Sequence, residues 1–472
     1  MLQVYDRALS KNVFAEPSPE GHWSKNFAAL SIHRRKDWAV TVKGFNRFVW
    51  DFEGTLEENA HGIFQSHGAM LIANSEESLK AHNVSEGWDW TKIPGATTMN
   101  LTLEETLLKE ARHFSPRSYA GGVTFKGPEP FSDGAFGMDF HQPDYQFFNQ
   151  NHPHPNIKLS FKKSVFFYQN LLVCLGSNIS VQNGGDRVAQ TTLFQDRLQS
   201  VSSAPAPVER KDNQTGKIDY VSIVDTKGNS YFIPRSSASS LKFQATNQRS
   251  QTPSRNPSVG YYATTWLEHR SPNSNYEYAV YVNTPSYPKS ADVFWEYHHD
   301  YPYKKPYIVL KQDHEAHVVK FEITPARWTW LEPFYSYVIF MSNPTLPHGP
   351  ITEVTNQCRI MIDDDAMFVY LSISYPDLNF PVPKQLKALR DIGDTEMFYM
   401  ESEEVEVSVT LTTNVNKTLP TQPVVHGLPD RHGYVPEVRV ESALSSPGSP
   451  KGNTIVFSNL KNGFSVEIKL RK

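Results

Sequence analysis

The sequence is poor in the features that mark redox proteins and nucleic-acid-binding proteins. Only two cysteines, Cys174 and Cys358, occur in 472 residues, and both lie in apolar, strand-like runs. They could pair or remain as two buried free thiols, so they do not define a redox compartment. The formal net charge is −4, whereas a nucleic-acid-binding face is usually basic. We therefore expect no nucleic-acid partner.

Long apolar runs are also missing. No segment approaches the roughly 20 apolar residues that a membrane-spanning helix needs. The first twelve residues, MLQVYDRALSKN, have no apolar core because Asp6 and Arg7 interrupt them, which is unlike a secretory signal. The sequence therefore predicts no membrane span and no signal peptide.

Several motifs of catalysis and metal binding are absent as well. There is no GxSxG element and no phosphate-binding glycine loop. His152 and His154, with His141 upstream, have no nearby cysteine pair to complete a zinc site. The run Asp363–Asp365 suits a hairpin turn better than a calcium loop. We expect no metal and no cofactor, with zinc at these histidines as the weaker alternative.

Aromatic residues and alternating strand patterns are plentiful. Aromatics make up 12% of the chain. In DWAVTVKG, Trp38, Val40 and Val42 fall on one face, and the apolar run 164–176 predicts strands buried on both faces. Helical patterns are few, the clearest being TLEETLLKEA at 102–111, which carries a capping box. These patterns predict an all-β fold.

Two segments combine residues that suit a saccharide-binding cleft. In VWDFEGTLEENAHGIFQSHG, Glu53 follows an aromatic strand, where Trp50 and Phe52 could hold it partly desolvated. The alternative is a structural ion-pair partner. In GWDWTKIPGATT, Trp88 and Trp90 could stack on sugar rings or could anchor the loop in the core.

The longer motifs carry a family resemblance. NFAALSIHRRKDWAVTVKGFNRFVWDFE, NAHGIFQSHGAMLIAN, GWDWTKIPGATTMNL, FKKSVFFYQNLLVCLGSNI, TTLFQD, WLEH and YEYAV occur in this order along the chain. Together they resemble the carboxy-terminal β half of the chondroitin ABC lyases, members of polysaccharide lyase family 8. The resemblance extends roughly from Pro17 to Asp377.

The resemblance implies a fold and a division into domains. It implies an antiparallel β super-sandwich at residues 23–352, after a linker remnant at residues 1–22, and a smaller carboxy-terminal β-sandwich at residues 353–472. A proline-rich segment, SNPTLPHGPIT, supports the boundary near residue 352. In the family, an α/α toroid precedes these parts and supplies a catalytic histidine, tyrosine and arginine. We expect such a toroid as a partner, on the same full-length chain or on another.

The resemblance also implies a function. It implies β-elimination in uronate-containing glycosaminoglycans, chondroitin and dermatan sulfate with hyaluronan as a further candidate, outside the cell. Glu53 matches a glutamate that orients the toroid arginine and tyrosine. Asn59, Gln65 and His67 follow it as candidate substrate-binding residues, besides Trp88 and Trp90. We expect this chain to be inactive alone. The alternative is a non-catalytic carbohydrate-binding or structural β protein.

Overall fold

The computed structural model describes most of the chain, and every strand pairing in the described residues is antiparallel. The described residues are 6, 10–11, 18–55, 59–74, 76–82, 84–109, 111–115, 119–145, 157–200, 203–211, 218–250, 257–282, 306–322, 334–380, 402–416, 422–426, 434–442 and 452–472. This arrangement confirms the all-β prediction.

Three sheets form the amino-terminal part of the fold. A four-stranded sheet has the order β1 (Gly21–Lys25), β2 (Leu30–Arg35), β3 (Trp38–Lys43), β4 (Ala69–Ala73). A second has the order β14 (Leu241–Ser250), β15 (Ser258–His269), β10 (Ala189–Arg197), β5 (Thr97–Met99). The eight-stranded sheet runs β11 (Val208–Lys211), β12 (Ile218–Val224), β13 (Ser230–Pro234), β16 (Ser274–Tyr281), β9 (Leu171–Gln182), β8 (Lys158–Tyr168), β7 (Asp133–His141), β6 (Ala120–Phe125).

Two further sheets form the carboxy-terminal part, and helices are short. The seven-stranded sheet runs β17 (Tyr307–Gln312), β18 (Ala316–Phe321), β19 (Phe334–Ile339), β21 (Cys358–Asp364), β22 (Phe368–Ser374), β27 (Ser465–Arg471), β24 (Val424–His426). The last sheet runs β20 (Ile351–Val354), β23 (Val405–Leu411), β26 (Asn453–Leu460), β25 (Glu437–Ser442). The helices with described bounds are α1 (Glu76–Ala81) and α2 (Arg235–Ala238), with single 3₁₀ turns at Asn26–Ala28, Gly62–Phe64 and Glu104–Thr106.

The eight-stranded sheet is covered on both faces, which explains its apolar strands. Val165 and Phe167 of β8 point into the core shared with the two four-stranded sheets. Their neighbours Phe166 and Tyr168 point into a second core, shared with the seven-stranded sheet. Because both faces are dry, successive residues are all apolar instead of alternating. The prediction of doubly buried strands at residues 164–176 is confirmed.

The predicted domain limits differ from the sheet organisation. The strands β17 to β19 precede residue 352 but are hydrogen-bonded in the same sheet as β21, β22 and β27. Ala316 and Tyr337 also share an apolar core with Ile360 and Val466. Shared strand pairing and a shared core thus join β17 to β19 to the strands that follow residue 352. At the other limit, residues 21–22 of the predicted linker belong to β1.

One predicted helix is wrong although its cap is present. The main-chain N of Thr102 donates to Glu105 Oε2 at 2.8 Å, as a capping box requires. The turn ends at Leu107, which is extended with ψ 120°, and the buried Leu108 then enters the core. The two cysteines are buried free thiols. The sequence has a second short helix pattern, KQLKALRDI at residues 384–392, which lies outside the described residues.

Candidate active-site cleft

A tight turn after β3 builds one side of a cleft. Asn46 Oδ1 accepts hydrogen bonds from the main-chain N–H groups of Phe48 and Val49, each at 2.8 Å. The neighbouring Arg47 reaches across to the segment after β22, where its Nη2 lies 2.7 Å from Asp377 Oδ2. The turn and this partly exposed ion pair connect the two sandwiches beside the cleft.

The cleft contains a cavity of about 580 Å³. Its aromatic walls come from both sandwiches, and it also has polar groups. The aromatic residues are Phe27, Phe48, Trp50, Phe52 and Phe380, and the polar ones are Lys43, Asp51, Glu53, Gln65 and Ser66. A concave site of this size with mostly apolar walls and few polar groups is typical of small-ligand sites.

Glu53 lies at the exposed rim of this cavity. Its side chain is 66% exposed, and its Oε1 contacts the Arg112 guanidinium. That guanidinium also lies over the Trp50 ring, 5.3 Å from the ring centroid. The predicted partial desolvation of Glu53 is therefore wrong, because most of its side chain is open to solvent, and its contact with Arg112 matches the ion-pair alternative. An exposed pair of this kind contributes only about 0–1 kcal/mol to stability, so it is available for exchange with a ligand.

Main-chain hydrogen bonds fix the segment that carries Glu53, which belongs to no strand of the structure. The main-chain N of Arg112 donates to the Phe52 carbonyl at 3.0 Å, and that of Asp51 donates to the His113 carbonyl at 3.0 Å. Arg112 has a φ of 66°, which is uncommon for a residue with a side chain. These main-chain hydrogen bonds with the Glu53 segment thus hold Arg112 in a conformation that favours glycine.

A buried polar network supports the rim from below. Asp51 is 2% exposed, and its Oδ1 accepts from the main-chain N–H groups of Phe52 at 2.7 Å and His113 at 2.8 Å. Its Oδ2 lies 3.2 Å from His113 Nδ1. The Tyr145 hydroxyl also bonds this carboxylate, and burial together with Asp51 raises the pKa of Tyr145 well above its usual value. This network holds the main chain on both sides of the cleft.

The structure brings Asn59 and Gln65 beside Glu53. Asn59 Nδ2 donates to the Glu53 carbonyl at 2.8 Å and to Gln65 Oε1 at 2.9 Å. Gln65 Nε2 donates back to Asn59 Oδ1 at 3.0 Å. Asn59 adopts a φ of 53°, a left-handed conformation that asparagine tolerates better than most residues. Three of the six candidate site residues therefore form one connected group.

His67 lies under the cleft, where it has no exposed surface. Its ring packs against Phe45, Phe64 and Phe140 at centroid distances of 5.9, 5.2 and 4.4 Å. Burial lowers the pKa of His67 to about 3. Its Nε2 lies 3.4 Å from the Tyr145 hydroxyl. This core position argues against the expected direct contact between His67 and a glycan.

The two tryptophans lie away from the cavity lining. Trp88 is 3% exposed and belongs to the main core, with its ring 6.1 Å from that of Tyr262. Trp90 is partly buried and packs against the same core. Of the two interpretations left by the sequence, the placement favours loop anchors over sugar platforms, since a buried indole presents no face to a ligand.

The sequence did not indicate Lys43, Asp51 or Arg112 as parts of the cleft. Lys43 ends a regular alternation and has the pattern of a solvated strand residue. Arg112 directly follows the predicted helix at residues 102–111 and lies 59 positions from Glu53. A short local pattern contains no information about such a distant contact.

The described residues form neither a cluster of metal ligands nor a membrane-spanning helix. They contain no group of three or more histidine, cysteine, aspartate or glutamate side chains that could hold a metal ion. His152 and His154 lie outside the described residues. No described helix is long and apolar enough to cross a membrane.

Comparison with known proteins identifies the family. The polysaccharide lyase family 8 super-sandwich domain matches residues 23–291. The chain belongs to polysaccharide lyase family 8. This family 8 match covers more than half of the 472 residues and includes the cleft residues from Phe27 to Ser66, but not Leu378 and Phe380.

Curated relatives of this family 8 chain include chondroitin lyases. It is 26% identical to a chondroitin sulfate ABC exolyase of Bacteroides thetaiotaomicron, over 100% of this chain and 43% of that protein. It is 29% identical to a chondroitin sulfate ABC endolyase of Proteus vulgaris, over 64% of this chain and 29% of that protein. The chain thus spans less than half the length of these relatives.

Solved structures of polysaccharide lyases share the fold. A Paenibacillus xanthan lyase superposes with a TM-score of 0.67 at 15% identity, covering 100% of this chain and 39% of that one. A Streptomyces coelicolor chondroitin AC lyase superposes with a TM-score of 0.63 at 15% identity, covering 97% and 50%. At this identity the likeness supports the super-sandwich architecture.

Proposed function

We propose that this chain supplies the β part of a lyase that cleaves uronate-containing glycosaminoglycans, such as chondroitin and dermatan sulfate, by β-elimination. The observation that carries the proposal is the exposed Glu53 at the rim of an aromatic-walled cavity, in contact with Arg112 and Asn59. In line with the family resemblance, the proposed site of action is outside the cell.

A cleft that supports β-elimination must provide a base, an acid and a group that neutralises the uronate carboxylate. A base removes the proton from C5 of the uronate, the electron pair forms the C4–C5 double bond, and the bond from C4 to the leaving oxygen breaks while that oxygen gains a proton. Neutralising the uronate carboxylate makes the C5 proton more acidic. In the proposal, Glu53 and Arg112 are positioning residues that orient cationic and hydroxyl groups around the uronate.

The proton-transfer groups come from elsewhere in this proposal. The described residues that line the cavity include no histidine and no tyrosine. In family 8 these groups lie on an α/α toroid, so we place the toroid histidine, tyrosine and arginine opposite Glu53. The chain alone is then inactive, because the members of a catalytic group act as a unit.

Turnover by the complemented protein tests this function. The chain is combined with a family 8 toroid, and the ultraviolet absorbance of unsaturated uronate products is followed with chondroitin and dermatan sulfate. We expect turnover only in the combined protein, and Glu53→Gln should lower it by roughly 100-fold, the scale for losing one preorganised group. The exposed Glu353 serves as a matched control, since Glu353→Gln should have no effect. Turnover by the chain alone would contradict the proposal.

A second function is glycan binding without cleavage. The cavity lining without histidine or tyrosine favours it, because aromatic walls and charged groups suffice for binding. Glycosaminoglycan affinity that falls with rising salt, together with no turnover after toroid addition, would support this alternative.

A further inference from the structure

Lys43 places a cation inside the cavity with spare hydrogen-bonding capacity. It is the last residue of β3 and lines the cavity. Its Nζ donates to the Gly44 carbonyl at 2.5 Å, and among the described residues it forms no ion pair with a carboxylate. An ammonium group has three donors and no acceptor. A neutral carbonyl leaves both the charge and two donors of Lys43 for another partner.

The nearby Asp51 does not neutralise this cation by contact. Its oxygens are engaged by the main-chain N–H groups of Phe52 and His113, by the His113 ring and by the Tyr145 hydroxyl. Burial lowers the pKa of Lys43 to about 8, an effect that the Asp51 charge opposes. The charge of Asp51 is therefore shared among other donors, while Lys43 faces the cavity.

The other charged groups of the rim cancel one another. Glu53 would repel an anion in the cavity, but its carboxylate contacts the Arg112 guanidinium. Among the described residues that line the cavity, Lys43 carries the one ammonium group. No direct ion pair within the described part of the chain compensates its charge. An anionic group of a ligand would supply that compensation.

The cavity walls suit a sugar ring. Phe48 and Phe380 meet edge to face at 5.1 Å between centroids, and the Phe27 ring lies 6.1 Å from that of Phe380. Phe27 is 53% exposed, so part of this aromatic wall is open to solvent. The C–H faces of a pyranose can pack on such rings, and about 580 Å³ is in the range of small-ligand sites.

We propose that this cavity is a subsite for one anionic sugar of the glycan, in which the Lys43 ammonium pairs with a carboxylate or sulfate group and the aromatic walls contact the ring. The inference rests on the proposed function, because it names the subsite and the charged residue with which the same cleft would hold a glycosaminoglycan. It assigns to Lys43 a binding role and no proton transfer.

Calorimetric titration of the full chain with defined tetrasaccharides tests the pairing. The ligands are unsulfated chondroitin, its carboxyl-reduced neutral form, and a carboxyl-reduced form with sulfate, so that carboxylate and sulfate are distinguished. Lys43→Met should weaken binding of the preferred anionic ligand by about 10- to 30-fold, the value of a charge-assisted hydrogen bond. It should leave the neutral ligand unaffected and reduce the salt dependence of binding.

Two further variants serve as controls. Lys43→Arg keeps the charge and should retain most of the preference for the anionic ligand. Lys242, an exposed residue of β14 outside the cavity, provides the matched control, since Lys242→Met should bind like the unmodified chain. Denaturant unfolding of each variant shows whether the fold is intact.

The outcomes separate the subsite from the function. If a folded Lys43→Met variant binds the anionic tetrasaccharides as tightly as the unmodified chain, the role of Lys43 is structural and the inference is overturned, while the proposed function stands. If the unmodified chain binds none of them and the toroid-complemented protein has no turnover, the proposed function fails and the subsite with it. If Lys43→Met and Lys43→Arg lose affinity equally, charge is not what Lys43 contributes and the inference is again overturned.

Discussion

The cleft contains two carboxylates in opposite environments, that of Asp51 on its buried floor and that of Glu53 on its exposed rim. On the floor, Asp51 is 2% exposed and is bonded by Phe52, His113 and Tyr145. On the rim, only two positions further along the chain, the Glu53 side chain is 66% exposed and contacts Arg112. Regular strand alternation would place both side chains on the same side, so the contrast comes from the irregular conformation of residues 51–53, which belong to no strand.

The difference separates the two tasks of a binding site. A buried carboxylate whose acceptors are occupied can hold the main chain but cannot exchange its partners without a large cost. An exposed carboxylate in a weak ion pair can exchange partners readily. Mutations on the floor should therefore affect stability first, and mutations on the rim should affect ligands and turnover first.

The largest expected effect comes from removing the floor carboxylate. Asp51→Ala leaves the main-chain N–H groups of Phe52 and His113, and the Tyr145 hydroxyl, without their acceptor. Loss of one partner from a buried charged network costs about 3–5 kcal/mol, so we expect a loss of about 3 kcal/mol in the free energy of unfolding. Denaturant unfolding followed by fluorescence measures it.

Glu53→Ala is the matched rim variant for this comparison. Because its partner is exposed, we expect its free energy of unfolding to change by less than about 1 kcal/mol. Equal losses for Asp51→Ala and Glu53→Ala would contradict the division between floor and rim.

A smaller effect should appear in the pH dependence of stability. Burial lowers the pKa of His67 to about 3 from the ordinary 6.5. Below the ordinary value the unfolded chain binds a proton that the folded chain does not, so His67 lowers stability as the pH falls. Between about pH 7.5 and about pH 5.5, this proton uptake by the unfolded chain lowers the free energy of unfolding by about 1.4 kcal/mol.

His67→Phe should remove this contribution, because phenylalanine has no ionisable group and the site is already lined by aromatic rings. The free energy of unfolding of the variant should fall about 1.4 kcal/mol less over this pH interval than that of the unmodified chain. Unfolding curves recorded at both pH values make the comparison. An unchanged pH dependence would show that His67 is accessible to protons in the folded state.

The sequence was sufficient for the fold class because strand patterns are local. Residues 38–43 alternate because only one face of their strand is buried. Residues 164–176 are continuously apolar because both faces of their sheet are buried. The sheet membership of β17 to β19 could not be predicted in the same way, because it depends on which strands pair. The proline-rich segment near residue 352 lies within a unit whose sheet begins at β17.

The site was predictable only in part, for a similar reason. The family resemblance indicated Glu53, Asn59 and Gln65, which lie close together both in sequence and in space. Arg112 could not be found this way, because its contact with Glu53 closes a loop of 59 positions. Whether a histidine or a tryptophan is buried depends on the sheets that pack against it. His67 and Trp88 are residue types that often bind sugars, but here both are buried in the core.

The smallest expected effect concerns the backbone of the rim. Arg112 has a φ of 66°, a conformation that costs a residue with a Cβ about 1 kcal/mol and costs glycine almost nothing. Arg112→Gly loses the exposed contacts with Glu53 and Trp50 but gains this backbone relief, so its stability should stay within about 1 kcal/mol of the unmodified chain. Arg112→Ala loses the same contacts without the relief, and it should be about 1 kcal/mol less stable than Arg112→Gly. Parallel denaturant unfolding of the two variants isolates the backbone contribution, and equal stabilities would mean that the rim holds Arg112 without strain.

Because both variants remove the partner of Glu53, a loss of glycan binding common to both would assign that loss to the guanidinium, whatever the backbone does.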